Sequence, residues 1–306
     1  MFDTPNQDEI YLQNIKEPLV EIFQHKGSSE CAIASSDPLC NFEQLPYKDF
    51  RSKFQNNLSQ PPKSSFVRET LNKGLLIHSQ QNINPFKLGI IGSTDTHFGT
   101  PGSVDEDNFL GGGGAGKSYR DNIPEGLPDD VEFNPGGLAV VWAEENSRTS
   151  IFNALKRKEV YGTSGPRFLV RFFMGENLSL DLCNNTNAIP YSYENAVPMG
   201  GTLDSKNISQ ARVFVSASAD QSLEDQFIEK LQVIKGVVRD GIVETSVHDI
   251  QSSESSELDL NSCKVEGKGP RSMCMVWEDP NFNQGDEAYY YVRVIANKTC
   301  RWSHNL

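Results

Sequence analysis

Positive charge is scarce in this sequence. Twenty-eight lysines and arginines stand against 41 aspartates and glutamates, a formal charge of −13 over 306 residues. Such a surface repels phosphate backbones, so nucleic acid is not an expected partner. No apolar run approaches the roughly 20 residues that a membrane-spanning helix needs. The first ten residues, MFDTPNQDEI, show neither the basic nor the apolar segment of a signal peptide. Six cysteines contain no Cys-x-x-Cys pair, which argues against a thiolate zinc site or a thioredoxin-type centre. No internal repeat is visible.

What is present suits a folded protein. Hydrophobic residues make up 37% of the chain and aromatics 9%, enough for one large domain or two ordinary ones. Cys31 lies close to Cys40, and Cys263 to Cys274. Cys263 with Cys274 is the first choice for a disulfide and Cys31 with Cys40 the second, in an oxidising compartment that is periplasmic or extracellular. Six unrelated reduced thiols fit equally well, because spacing does not determine connectivity.

Read along the chain, EPLVEIFQ (17–24) is a strand ending in the turn HKGSSE. Residues 31–63, rich in Pro, Ser and polar residues, read as loop with room for one helical turn. In SSFVRETLNKGLLIHS, Val67, Leu71 and Leu75 recur at helical spacing, with Ser64 or Ser65 as N-cap. KLGIIGST (87–94) is a second strand. Strand, helix, strand is a βαβ unit whose strands should run parallel with a right-handed crossover. Residues 98–136 form a long Gly-, Pro-, Asp- and Asn-rich excursion. NSRTSIFNALKRKE (146–159) is a helix capped by Ser147 or Asn146. From about residue 167 the pattern turns to short alternating segments: RFLVRFF, ARVFVSASA, LQVIKGVV, GIVETSVHDI and AYYYVRVIA. Asp240-Gly241 between two of them is a hairpin signal, and no helix-length apolar pattern intervenes. An antiparallel, sandwich-like module is expected there.

Asp95 and His97 stand at i and i+2 just after the second strand. Side chains at the carboxyl ends of parallel strands line the usual active-site face of such folds, and this spacing points both the same way. Together they are candidate metal ligands. His25, in the turn after the first strand, and Glu30, at that strand's mouth, are candidates for a ligand or supporting role, although solvent exposure is the simpler reading of Glu30. Arg167, ending GTSGPR, could offer its guanidinium to an anion. His78 ends a helix, where a cation suits the dipole, and His248 in the β module and His304 near the terminus are less persuasive as ligands.

The run GGGGAGKS (111–118) satisfies the phosphate-cradling pattern, with Lys117 and Ser118 in the nucleotide positions. Its context argues against a nucleotide-hydrolysing enzyme. SVDEDNFL before it is acidic and not strand-like, and Pro124, Gly126 and Pro128 come after it where a helix should run. A flexible glycine loop is the better account.

The segments EPLVEIFQHKGSSE, NPFKLGIIGSTDTHFGTPGS, GGLAVVWAEENSRTSIFNALKRKEVYGTSGPR, PMGGTL and WEDPNFNQGDEAYYYVRVIANKTCRWS together resemble the C-terminal half of the bacterial family catalogued as domain of unknown function 3604. That family is similar to the PHP (polymerase and histidinol phosphatase) metal-dependent phosphoesterases. The resemblance implies an α/β fold: the C-terminal part of a PHP-like distorted barrel over residues 1–166, then the β module over 167–306. It matches Asp95 and His97 to a metal motif at a strand end, and implies further ligands upstream of Met1. The implied function is metal-dependent hydrolysis of a small-molecule ester, phosphoesterase-like, with Zn, Mn or Fe bound weakly, if at all, by this chain. A truncated, inactive and self-associating product is expected on this basis. The competing class is a non-enzymatic chain whose β module binds a partner or a carbohydrate.

Overall fold

The computed structural model describes residues 7–33, 35–44, 61–97, 99–106, 109 and 134–302. Helix α1 spans Gln7–Lys16, followed by strands β1 (Leu19–Gln24) and β2 (Gly27–Ser28), helix α2 (Val67–Gln81) and strand β3 (Gly89–Gly92). Then come β4 (Leu138–Val141), α3 (Arg148–Arg157), β5 (Val160–Thr163), β6 (Leu169–Gly175), α4 (Ala188–Asn195), β7 (Val197–Pro198) and β8 (Arg212–Ser218). The last strands are β9 (Ile228–Arg239), β10 (Ile242–Ser252), β11 (Glu257–Asp259), β12 (Lys264–Glu266), β13 (Ser272–Glu278) and β14 (Ala288–Ala296).

The expected PHP-like α/β barrel is not what forms. The described chain is mostly β, in several small and chiefly antiparallel sheets, and no barrel closes. A barrel needs a continuous ladder of strands. Here one parallel pair forms, β1 with β3, from Leu19↔Gly89 to Phe23↔Gly92. The next strands leave that ladder: β5 turns back antiparallel on β4 in a separate sheet. It still lies against β3, because glycines allow the backbones together. A Cβ on Gly162 would sit 2.5 Å from the Gly92 nitrogen.

The helices obey their local signals with one difference. Ser147 caps α3 by accepting from the Ser150 N–H. At α2 the cap position is Phe66, with no side-chain cap, and Ser64 and Ser65 lie in a preceding 3-10 turn. α2 ends at Asn82 in the left-handed region, φ 58°.

From residue 167 onward, the sheet β13-β8-β6-β7 faces the sheet β10-β9-β14. Val170 and Phe172, Val213, Val215 and Ala217, and Ile228, Leu231 and Val233 share one core between them. Alternate residues of the first sheet point the other way. Phe173, Phe214 and Val276 join Leu178 and Leu182 in a second cluster, against which Ala188, Ile189 and Tyr191 of α4 pack. That helix, unannounced by any apolar periodicity, covers the face that alternation alone assigns to solvent. Asp240 and Gly241 both have positive φ, 49° and 77°, in a two-residue β9–β10 turn, as the Asp-Gly pair requires.

A buried charge network joins α2 to β14. Glu30 accepts from Arg68 (2.7 Å), Arg293 (3.0 Å) and the Tyr291 hydroxyl (2.8 Å). Asp37 accepts from Arg68 (2.9 Å) and Arg293 (2.9 Å). Burial alone would raise the Asp37 pKa, but Arg293, Arg68 and the Leu39 N–H prevail and hold it below its ordinary value.

Because that pKa is depressed in the folded state, its contribution is present above the unfolded value of 3.8 and is lost as pH falls through the folded one. Asp37→Asn should cost about 3 kcal/mol at pH 7, by leaving two buried guanidiniums short of a partner, and should flatten the acid limb below about pH 4. Urea midpoints at pH 7 and pH 3 test this. An acid limb equally steep in variant and wild type would show that Asp37 carries no such linkage.

Candidate functional site

Because β1 and β3 are parallel and nearly in register, their carboxyl ends meet. His25 comes directly after the first and Asp95 shortly after the second. His25 Nε2 lies 3.5 Å from Asp95 Oδ2, with the imidazole largely buried (10% exposed) and the carboxylate open (44%). That separation is long for a charge-assisted hydrogen bond. It is close to the edge of a tetrahedral zinc site, about 3.3 Å for ligand bonds near 2.05 Å.

The two side chains are held from behind. The His25 carbonyl accepts from the Asn134 N–H at 2.8 Å. Asn134 is fully buried, and its amide donates to Glu43 at 2.7 Å. Gly136, at φ 85°, presses on the loop after β3, where a Cβ would sit 2.7 Å from the Ser93 oxygen. Asp95 itself has φ 56°, a region that Asp tolerates better than most residues. Its N–H donates to Ser93 Oγ at 3.2 Å, and Ser93 Oγ in turn bonds the Glu21 carboxylate. Lys26 bonds Ser29. Burial lowers the Lys26 pKa, while Glu21 and Asp95 work to keep it charged.

The other candidates are scattered. His97 is exposed in a bend two residues beyond Asp95. Glu30 is not a solvent-exposed residue but the acceptor at the centre of the α2–β14 network, 13% exposed. The Arg167 side chain is exposed, and its main-chain N–H donates to Asp220 at 2.7 Å. His78 pairs with Glu287 at 3.3 Å, and His248 with Ser246 at 2.8 Å. Lys117, Ser118 and His304 lie outside the described residues.

Among the described residues, one group of three brings potential ligand atoms within 4.8 Å of each other: Cys31, Asp37 and Cys40. Its sulfurs are joined to each other, and its carboxylate is occupied by two arginines. A disulfide is not the thiolate that metals take. A cavity of about 1870 Å³ borders Arg68, Asp37, Tyr291 and Arg293 but not His25 or Asp95. The strand-end pair is marked by its chemistry, an imidazole facing a carboxylate, and not by a cavity.

All six cysteines are paired: Cys31–Cys40, Cys183–Cys274 and Cys263–Cys300. The pairing of Cys263 with Cys274 is therefore wrong, and that of Cys31 with Cys40 right. Three disulfides speak for oxidising surroundings. No described helix is long and apolar enough to cross a membrane.

Glu21, Glu43 and Asn134 support the site without any signal in the sequence. Glu21 reads as one polar residue in a strand, and Asn134-Pro135-Gly136 as a turn; only their meeting in space gives them a role.

The family described as protein of unknown function (DUF3604) matches the chain over residues 3–306. No curated protein matches, and no solved structure does.

Asp95 should be replaceable by glycine with less strain than by a branched residue. Asp95→Val should be less stable than Asp95→Gly by about 1–2 kcal/mol, since only the former keeps a Cβ in the left-handed region. Equal urea midpoints for the two variants would contradict the backbone assigned to this residue.

Proposed function

The chain belongs to the DUF3604 family, and for it we propose metal-assisted hydrolysis of a phosphoester, centred on His25 and Asp95 with His97 as a further ligand. The 3.5 Å separation of His25 Nε2 and Asp95 Oδ2 at the ends of a parallel strand pair carries this reading. An imidazole with a carboxylate suits Zn, Mn or Fe. His25 and Asp95 fit a divalent cation in type and spacing, but the two alone fall short of the three protein ligands usual in catalytic zinc sites, and His97 stands exposed in a bend two residues on, so weak binding is expected. When bound, such a cation would supply an activated water and neutralise charge developing on the ester oxygens.

The chain's own residues have separable tasks. Asp95, open to solvent, would meet the cation first. His25, held through its carbonyl by Asn134, would present Nε2 from a fixed backbone. Lys26 would bring positive charge to an anionic substrate beside Asp95. A location in the periplasm or outside the cell belongs to the same proposal and rests on the three disulfides.

Calorimetric titration with Mn²⁺ and Zn²⁺ tests the reading. The wild type should bind one ion with low affinity, His25→Ala and Asp95→Ala should each weaken it about tenfold or more, and the double variant should not bind. Metal-dependent turnover of a nitrophenyl phosphodiester should fall in parallel. Unchanged cation affinity in the double variant would remove the site from this place.

A further inference from the structure

The three disulfides differ in access. Cys31 and Cys40 are buried, 1% and 2% exposed. Cys183 and Cys274 pack against the cluster of Phe173, Leu182, Phe214 and Val276. Cys263 is exposed just before β12, and its partner Cys300 is half-buried beyond β14.

This accessible bond ties down the stretch beyond β14. Asn297 starts it, exchanging bonds with the Phe227 backbone at 2.8 and 3.1 Å. Cys300 is then clasped to Cys263. Arg301 next enters the N-terminal part of the chain. Its guanidinium lies 5.7 Å from the ring centres of both Phe23 and Phe42. It donates to the Ser164 carbonyl at 2.9 Å and meets Glu106 at 2.9 Å and Glu43 at 3.8 Å. The Trp302 N–H donates to Glu106 at 2.6 Å. Glu43 also holds Asn134, and Asn134 holds the His25 carbonyl. An exposed disulfide therefore fixes a strap whose arginine backs the wall behind His25.

We propose that Cys263–Cys300 is a redox-labile clasp, and that its reduction by a dithiol frees the Cys300–Trp302 strap from the N-terminal part of the chain. A thiolate of the dithiol attacks the sulfur of Cys263, the more exposed residue of the pair, and Cys300 leaves as a thiolate that takes up a proton. The second thiol of the reductant then closes on the mixed disulfide, releasing reduced Cys263 and leaving the reductant as its own disulfide. The protein gains two electrons and two protons. Exposed disulfides are the labile ones, while buried bonds wait for local opening. Once the covalent tie is cut, Arg301 is retained by non-covalent contacts alone. Resting on the proposed metal site, the strap's release also loosens the Glu43–Asn134 support of His25 and weakens cation binding.

The native chain is titrated with a soluble dithiol, pulse-alkylated, and its cysteines mapped by mass spectrometry. In parallel, trypsin cleavage after Arg301 is timed by the loss of residues 302–306. Cys263 and Cys300 should be labelled before the other four cysteines. Cleavage after Arg301 should become about tenfold faster, as loss of a loop-closing cross-link predicts. Cys263→Ser combined with Cys300→Ser should cleave at the fast rate without reductant. Earlier labelling of either other pair, or slow cleavage in the double variant, overturns the clasp. Mn²⁺ titration of oxidised and reduced chains separates the two readings. If neither binds the ion while labelling order and cleavage are as expected, the metal reading fails and the clasp stands.

Discussion

Two carboxylates and two guanidiniums lie largely buried where α2 meets β14, 4–13% exposed, and the docking of α2 on the C-terminal sheets depends on their pairing. Glu30 and Asp37 come from the loop after β2, Arg68 from α2 and Arg293 from β14. Taking such charges out of water costs several kcal/mol for each ion, and that cost is offset only when every partner is in place. A slightly shifted docking of α2 on the C-terminal sheets would leave a buried charge alone. Apolar packing there would tolerate small slides; this network does not. It is a constraint on geometry more than a source of net stability.

The loop that presents the carboxylates is itself over-determined. Cys31–Cys40 closes it. Gln44 donates to both cysteine carbonyls at 2.6 Å. Asp37 also caps the short 3-10 turn through the Leu39 N–H. The same segment continues to Phe42 and Glu43, which receive Arg301, and Glu43 reaches Asn134 behind His25. One stiff loop thus touches both the α2–β14 contact and the support of the strand-end pair. Disturbance at either place has a short, physical route to the other.

Local interactions are legible in the sequence, and distant ones are not. The positive φ demanded at Asp240 and Gly241, the Ser147 cap and the parallel β1–β3 pair are set within a few turns of chain, or by the hand of one crossover. The proximity of Asp95 to a strand end is legible for the same reason. Its partner is not: His25 is 70 positions away, and nothing in a turn sequence says that its ring faces Asp95. Nor does the βαβ unit dictate the course of β4 and β5. Whether the next strand extends the ladder or turns back depends on non-local contacts, so a local α/β signature, extended into a barrel, overshoots a chain that does not build one. Glu30 fails differently. A carboxylate after a turn is usually solvated, and only two arginines arriving from residues 68 and 293 make burial tolerable.

The disulfides show how far alternation along a strand can go. On β13, Met273, Met275 and Trp277 face the core between the two sheets, while Cys274 and Val276 face the opposite cluster. Cys274 is thereby aimed at whatever covers the outer side of its sheet, which is the 3-10 turn Leu182–Asn184 and α4. Cys183 lies in that turn, so it is the partner within reach, 5.7 Å away between Cα atoms. Cys263, between β11 and β12, pairs instead with Cys300. Pairing by nearness in sequence assumes that a short separation means a shared side. Successive residues of a strand point to opposite sides of a sheet, so the face to which a cysteine is assigned decides its partner before the length of the intervening loop does.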